Sequence, residues 1–334
     1  MKRLLIFVLV FFSLNNQNIY KNQSSNIQCF SYIVLHQDTG EILEGKNIDR
    51  AQSVASISKI MTAILAIESD QLFTTTIVDE SIDIAVGSSL YLEKRMYVTI
   101  IDMVYGLLLR SGNDASIIIA KTVSSSVENF VDLMNRKALD LGLKNTVFSN
   151  PNGLDIYDNG NISTSYDMAK LMRYCMQNTV FRQIISTKRY NSYSKGWWKN
   201  KHKLLHTYKY CSGGKTGYTQ KAKRTLITTA EKDNMKLIIV TLNCGNDFEA
   251  HVNLFEKYFE TYMYLPVLKE GNNKILDHII VSDKTCGVLL NKESHKEGTL
   301  LYSVDIEKKI VTVTFITLDG IKEEIIKINI LDFI

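Results

Sequence analysis

The sequence predicts an α/β fold: an antiparallel sheet flanked by helices with a helical subdomain, followed by a small all-β domain. Strand-like segments open and close the first 263 residues, helical periodicity fills the stretch between them, and only strand-like runs follow Pro266. With 334 residues the chain has the length of two domains. The predicted organisation is a leading segment over residues 1–28, a large domain over 29–263 and a β-rich domain over 266–334.

The large domain begins with a predicted strand pair. Residues 29–35 form the first strand, Asp38-Thr39-Gly40 the turn, and Glu41 starts the returning strand. From Ser56 to about Glu68 apolar residues recur at helical spacing, which predicts a helix. In chain order there follow predicted helices over 101–109, 115–123, 127–141 and 166–177, strands over 225–230 and 237–242, and a helix over 248–262.

The segment after Pro266 is strand-like throughout. The turn Leu318-Asp319-Gly320 precedes a last segment that alternates apolar and polar residues at period two, which favours a strand over an amphipathic membrane helix. The predicted strands cover residues 279–282, 287–290, 299–304, 310–316 and 324–330.

The N-terminus carries a basic start and a short apolar run. Lys2 and Arg3 precede apolar residues 4–12, and the run is too short to span a bilayer of roughly 30 Å as a helix. A secretory signal is therefore the preferred interpretation, and a buried N-terminal strand is the alternative. The polar residues 15–26 contain no small-x-small cleavage site, so an uncleaved anchor that keeps the protein at the membrane stays open. Either form of export predicts an extracytoplasmic protein.

Composition excludes several classes of function. The net charge of +4 suits anionic surroundings but falls short of a nucleic-acid-binding signature, so no nucleic acid is expected. The run from Lys188 to Lys203 mixes basic and aromatic residues, and an exposed hairpin is the preferred interpretation. Five cysteines without CxxC spacing and six histidines without HExxH predict no metal site and no cofactor. The odd cysteine count also argues against a complete disulfide framework.

The first chemical motif is Ser56-Ile57-Ser58-Lys59 at the start of a predicted helix. Positions i and i+3 share a helical face, so the Lys59 amine can reach the Ser56 hydroxyl. The helix N-terminus favours an oxyanion near Ser56, and a desolvated lysine has a lowered pKa and can act as a general base. Taken alone, the pattern favours an N-cap serine and a solvated lysine.

Two further motifs lie downstream. Ser111-Gly112-Asn113 stands between two helical runs, where a short loop can carry a hydroxyl and an amide into a cleft; an ordinary capped turn is the alternative. Lys215-Thr216-Gly217 supplies a cation and a hydroxyl suited to a substrate carboxylate, with glycines that permit close backbone approach. A Gly-rich hairpin with a surface lysine is the alternative there.

Together, in this order, the three motifs resemble those of the penicillin-recognising serine enzymes. Across nearly all of residues 30–262 the chain is most similar to the low-molecular-weight D-alanyl-D-alanine carboxypeptidases, and it departs from them at Asn152 and Ser165, where the family usually has His and Ala. The stretches that carry the resemblance are residues 38–40, 55–63, 105–115, 150–155, 163–167 and 214–219.

The resemblance implies a β-lactamase/transpeptidase-like domain that removes the terminal D-alanine from peptidoglycan stem peptides and is inhibited by β-lactam antibiotics. It implies Ser56 as nucleophile and Lys59 as base. The other implied site residues are Ser111 for proton relay, Asn113 for orientation, Lys215 and Thr216 for the substrate carboxylate, and Gly217 and Tyr218 beside it, with the backbone N–H groups of Ser56 and Tyr218 holding the oxyanion.

Two rival functions were weighed. A class A β-lactamase needs a Glu that activates the deacylating water, and the nearest look-alike, Asp132-Leu133-Met134-Asn135, sits inside a helical pattern soon after Asn113. A non-catalytic wall-binding protein would have lost some of the key side chains, and all of them are present. In a wall protein the basic run 188–203 would touch anionic wall polymers.

Overall fold

The computed structural model describes residues 4–6, 11–13, 27–155, 160–275, 278–283, 285–294, 297–305, 307–317, 322–330 and 332–333. The chain divides into two compact units. One comprises Ser25–Glu231 with Lys236–Phe255, and the other comprises Glu256–Ile334 with Lys232–Met235 and the described residues of Met1–Ser24. This division falls earlier in the chain than the boundary predicted at 263–266.

The first unit is built on a five-stranded sheet in the order β3-β4-β5-β1-β2. The neighbours β3–β4, β5–β1 and β1–β2 are antiparallel, as predicted. The strands are β1 (Cys29–His36), β2 (Ile42–Lys46), β3 (Cys211–Thr219), β4 (Lys223–Lys232) and β5 (Met235–Cys244).

A disulfide joins the central strands β1 and β5. Cys29 and Cys244 pair in the β1–β5 register and are bonded across a sequence separation of 215 residues. Cys175 and Cys211 are free thiols. The sequence therefore indicated correctly that the cysteines do not form a complete framework, but it did not identify this pair.

Helices form the rest of the first unit. The predicted helices are all present, and α6 and α7 were not predicted. They are α1 (Lys59–Glu68), α2 (Ile100–Arg110), α3 (Asn113–Ser124), α4 (Val127–Asp140), α5 (Ser165–Cys175), α6 (Thr179–Ser186), α7 (Leu204–Thr207) and α8 (Asp247–Thr261), with 3₁₀ turns at Ala55–Ser58 and Glu80–Ile84.

Side-chain caps explain where several helices begin. The Thr99 hydroxyl accepts a hydrogen bond from the third residue of α2, and Ser126 and Thr164 do the same for α4 and α5. Each cap satisfies a backbone N–H that has no partner within the helix. Short strand pairs connect the helices: Gln52–Ser53 with Ile162–Ser163, Thr75–Ile77 with Tyr97–Thr99, and Arg189–Ser192 with Gly196–Lys199.

Helix α1 lies in the centre of the first unit. Its residues from Lys59 to Ile67 are all buried, and it contacts α2, α3, α4, α5 and α6. A helix that is apolar on every face is stable only when it is surrounded in this way. Lys59 is thereby held at the buried start of a core helix.

The second unit is all-β after the end of α8. A five-stranded sheet contains Glu297–Asp305, Ile310–Thr317 and Lys322–Asn329. Smaller sheets pair Tyr262–Leu268 with Cys286–Asn291, and join Gly271–Ile275, His278–Ser282 and Asp332–Phe333. Pro266 lies inside the first of these strands, at an irregularity in the register, and not in a linker. The predicted turn Leu318-Asp319-Gly320 lies outside the described residues.

The described part of the N-terminus also belongs to the second unit. Leu4–Ile6 and Phe11–Ser13 are short strands, and each pairs antiparallel with Glu297–Asp305. This pairing agrees with the N-terminal strand alternative over those residues, and the export signal stays a prediction. No helix in the described ranges is long and apolar enough to cross a bilayer.

Candidate active site

Lys59 lies at the centre of a buried polar cluster. Its Nζ is 3.0 Å from Ser56 Oγ and 2.7 Å from Asn113 Oδ1, and it also contacts the backbone oxygen of Asn152. Ser56 is half-buried in the 3₁₀ turn directly before α1, and the preceding Ala55 has a positive φ of 50°. Residues other than glycine rarely adopt a positive φ, and those that do often lie at functional sites.

The environment of Lys59 disfavours its charged form. Its side chain is fully buried, and burial lowers its pKa well below the ordinary lysine value, with the nearby Lys215 and Lys201 charges acting in the same direction. A lowered pKa makes the neutral form of a lysine more accessible, and the neutral amine can accept a proton.

Ser111 and Asn113 stand at the junction of α2 and α3. Ser111 ends α2 in the left-handed region with a φ of 65°, and Asn113 is the first residue of α3. The Asn113 side-chain Nδ2 donates to the Val86 carbonyl, which directs its Oδ1 towards Lys59. Its backbone N–H donates to the Ser88 carbonyl at 2.7 Å. Hydrogen bonds therefore hold both the side-chain amide and the backbone of Asn113 in place.

Lys215 joins strand β3 to this junction. Its Nζ donates to Ser111 Oγ at 3.0 Å and to the Thr216 carbonyl at 2.7 Å. The side chain is 2% exposed, and burial, followed by the charge of Lys201, lowers its pKa to about 7. Lys59 thus bonds to Asn113 and Lys215 bonds to Ser111, and the Lys215 charge contributes to the lowered pKa of Lys59.

Gly217 brings the end of β3 against the Ser56 backbone. A Cβ at Gly217 would lie 2.9 Å from the Ser56 nitrogen and 2.4 Å from Thr225 Oγ1. The absence of a side chain therefore lets the strand approach the Ser56 N–H closely. Thr216 is half-buried beside Lys215, and Tyr218 follows with 63% of its surface exposed.

The loop over residues 150–155 completes the cluster, and the sequence had given it no part in the site. Asn152 contacts Lys59 through its backbone oxygen, while its side-chain Oδ1 accepts from the Leu154 N–H at 2.9 Å. The side chain in which this sequence departs from the family is therefore not the group that contacts Lys59. The other departure, Ser165, lies 2.7 Å from Ser31 Oγ in a buried hydroxyl pair.

Asp155 in the same loop links the segment before Ser56 to the end of β3. Its Oδ1 accepts from Ser53 Oγ at 2.7 Å, and its Oδ2 accepts from the Thr219 hydroxyl. Ser53 lies just before the Ser56 turn, and Thr219 ends β3. No distinctive spacing in the sequence marked this carboxylate.

Lys201 is a third amine near the site that the motifs did not predict. Its Nζ lies 3.5 Å from Ser88 Oγ, and burial and Arg110 lower its pKa. Within the described ranges no group of three or more His, Cys, Asp or Glu side chains could hold a metal ion. The cluster offers hydroxyls, amines, an amide and backbone N–H groups within one hydrogen-bonded arrangement.

Comparisons with known proteins agree with this geometry. A family model described as D-alanyl-D-alanine carboxypeptidase, Peptidase_S11, matches residues 17–246. The D-alanyl-D-alanine carboxypeptidase DacF of Bacillus subtilis is 34% identical over 257 residues, which cover 72% of this chain and 64% of that relative. DacC of Escherichia coli, of the same description, is 31% identical over 79% of this chain and 69% of the relative.

Solved structures give the same result. The D-alanyl-D-alanine carboxypeptidase from Mycobacterium tuberculosis H37Rv has a TM-score of 0.67 at 27% identity, over 73% of this chain and 96% of that one. Penicillin binding protein 5 from Haemophilus influenzae matches in fold with a TM-score of 0.76 at 22% identity, over 94% of this chain and 99% of that one. The chain belongs to the D-alanyl-D-alanine carboxypeptidase family, peptidase family S11.

Proposed function

We propose that this protein is a serine-type D-Ala-D-Ala carboxypeptidase that trims the terminal D-alanine from peptidoglycan stem peptides through an acyl-enzyme on Ser56. The observation that carries the proposal is the fully buried Lys59 amine 3.0 Å from the Ser56 hydroxyl. The names of the relatives support the substrate class, although the match with DacF spans only 64% of that relative's length.

The acceptors around Lys59 explain how it would activate Ser56. A neutral amine has two N–H bonds and one lone pair, and the Asn113 Oδ1 and the Asn152 backbone oxygen can only accept hydrogen bonds. When both N–H bonds are given to these oxygens, the lone pair faces the Ser56 hydroxyl. Lys59 would then take the Ser56 proton as the general base.

The acylation step follows from this arrangement. Ser56 Oγ attacks the carbonyl carbon of the penultimate D-alanine, and the Ser56 and Tyr218 N–H groups stabilise the oxyanion. The C–N bond to the terminal D-alanine then breaks, and Ser111 relays a proton to the departing amine. Asn113 orients the substrate amide.

Three groups on β3 would hold the end of the substrate. Lys215 and the Thr216 hydroxyl bind the terminal carboxylate, and Gly217 leaves room for the substrate backbone beside the strand. Water subsequently hydrolyses the ester and releases the shortened peptide. A β-lactam resembles the D-Ala-D-Ala end and would acylate the same serine.

We place the protein on the wall side of the membrane, reached by a secretory signal or an N-terminal anchor. The Cys29–Cys244 disulfide supports this location, because disulfides persist in oxidising compartments and are rare in the cytosol.

A D-alanine release assay on a stem pentapeptide tests the function. Wild-type protein should release D-alanine, whereas Ser56→Ala and Lys59→Ala should each lose about a thousandfold or more of the rate. Intact mass after penicillin treatment should show one adduct in the wild type and none in Ser56→Ala. An adduct that survives Ser56→Ala would refute the nucleophile assignment, and release unaffected by either change would refute the mechanism.

The β-lactamase rival gains no support from the structure. Asp132, the nearest counterpart of the water-activating Glu, lies exposed on α4, away from Lys59 and its contacts. Penicillin turnover should therefore be slow, and rapid hydrolysis of nitrocefin would favour the rival. The non-catalytic rival predicts no D-alanine release from any variant.

A further inference from the structure

A pocket lined by cationic side chains lies beside α2 and α7 and is not used by the proposed mechanism. It has a volume of about 380 Å³ and contains no acidic residue in its lining. The lining residues are Arg110, Lys199, Asn200, Lys201, Lys203, His206 and Thr207. Four of these residues, from Lys199 to Lys203, lie within the basic run singled out in the sequence, and Arg110 directly precedes Ser111. The pocket therefore connects that run with the neighbourhood of the catalytic cluster.

Three positive charges of this pocket lack an ion-pair partner among the described residues. In the ranges that the structure covers, no carboxylate lies within ion-pair distance of Arg110, Lys199 or Lys203, although other surface lysines, such as Lys121 with Asp79, do form such pairs. Arg110 also repels Lys201 and lowers its pKa. Like charges gathered without counter-charges favour the binding of an anion.

The backbone beneath these cations is fixed. The buried Asn200 donates from Nδ2 to the Thr187 carbonyl at 3.0 Å and accepts from the His202 N–H at 2.9 Å. The Lys201 N–H donates to the Leu109 carbonyl at 2.9 Å, which ties the segment to α2. The Arg110 Nη1 donates to the Lys199 carbonyl at 3.3 Å. The long cationic side chains therefore project from a rigid base, which reduces the entropy lost when they bind a ligand.

We propose that this basic pocket binds a phosphodiester polymer of the cell wall beside the substrate cleft. A single carboxylate needs one guanidinium or ammonium group, whereas several cations around an open pocket match a chain that carries repeated negative charges. This inference rests on the proposed function, since a wall polymer meets the protein only on the wall side of the membrane. Binding there would hold the enzyme against the wall material that contains its substrate.

The test measures binding of a glycerol-phosphate oligomer to the full-length protein by fluorescence anisotropy at low and high salt. The pocket variant Lys199→Gln/Lys203→Gln should bind about tenfold more weakly than wild type at low salt. The matched control Arg136→Gln/Lys144→Gln removes two exposed charges outside the pocket and should bind within about twofold of wild type. Added salt should weaken the wild-type complex more than that of the pocket variant.

Two further anionic ligands test which class of polymer the pocket prefers. Poly-L-glutamate of matched charge should bind less tightly than the phosphate oligomer. Equal loss of binding in both double variants, equal binding of poly-L-glutamate, or absence of binding by wild type would overturn the proposal. Tighter binding of an oligothymidylate than of the glycerol-phosphate oligomer would assign the pocket to nucleic acid and would also overturn it.

Acylation by penicillin separates this proposal from the proposed function. Neither Lys199 nor Lys203 belongs to the catalytic cluster, so the pocket variant should be acylated at the wild-type rate. Loss of oligomer binding with normal acylation supports the pocket, and normal acylation in a wild type that binds no oligomer refutes only the pocket. A wild type that fails to acylate refutes the proposed function.

Discussion

Lys59 and Lys215 are two lysines in one site with the same degree of burial and different surroundings. Lys59 begins a core helix and faces a hydroxyl, an amide oxygen and a backbone oxygen. Lys215 lies on a sheet strand and bonds only to the Ser111 hydroxyl and its neighbour's carbonyl among the described groups. Burial lowers the pKa of both, to about 7 for Lys215 and well below the ordinary value for Lys59.

The difference teaches that burial alone does not assign a role to a lysine. Burial and the charges of Lys215 and Lys201 favour the neutral form of Lys59, whose lone pair can then face Ser56. Lys215 has a pKa close to neutrality, so an arriving carboxylate can hold it in its charged form. We therefore expect one lysine to move a proton and the other to bind charge.

The largest expected effect is that of Lys59→Arg. Arginine keeps the positive charge but cannot lose its proton in a protein, so it cannot serve as a base. Acylation by penicillin, followed by intact mass over time, should slow by about a thousandfold or more. Lys215→Arg is the comparison variant and should stay within about tenfold of wild type. Similar losses in the two variants would show that the lysines do not differ in role.

The next largest effect on acylation is expected at Gly217, where the end of β3 lies against the Ser56 backbone. In Gly217→Ala the new methyl group would press on the Ser56 nitrogen, which is 2.9 Å from the Cβ position. We expect acylation to slow by about a hundredfold through displacement of the oxyanion-binding N–H groups. Gly245→Ala is the matched control, because nothing lies within 4 Å of its Cβ position. Unchanged acylation in Gly217→Ala would argue against this close approach.

Lys215→Gln should produce a smaller effect of a different kind. Removing the cation should raise KM for a stem pentapeptide by roughly ten- to thirtyfold while kcat changes less, because the lost contact is made in both the ground state and the transition state. Steady-state D-alanine release measures both constants, with Lys144→Gln as the charge control. A fall in kcat with an unchanged KM would mean that Lys215 acts in the chemical step.

The smallest expected effect is a change of kcat/KM by a few fold with pH. Lys215 binds a carboxylate when protonated, so kcat/KM should fall as the pH rises through its pKa of about 7. The neutral form of Lys59 is required, so its lowered pKa moves the rising limb to a lower pH than an ordinary lysine would give. Lys215→Arg should remove the alkaline limb because arginine stays charged. An alkaline limb that persists in this variant would belong to another group.

Local patterns predicted much of the fold. The helical period predicted α2, α4 and α5 to within a residue or two, because periodicity depends on neighbours in sequence. The short helix α6 was missed even though Asn178 caps it, because eight residues carry too little periodicity. Pro266, which the sequence predicts as a boundary, lies inside a strand at an irregularity in the register.

The sequence by itself determined which side chains are the candidates for the chemistry: a serine and a lysine three residues apart, a hydroxyl and an amide at a helix junction, and a lysine close to a glycine. Only the tertiary structure decided how deeply each lysine is buried, which carbonyl approaches Lys59, and that Asp155 and the Cys29–Cys244 bond tie distant segments together. The physical reason is that hydrogen-bonding capacity is a property of each residue, whereas solvation and proximity of charges arise only when segments far apart in sequence pack together.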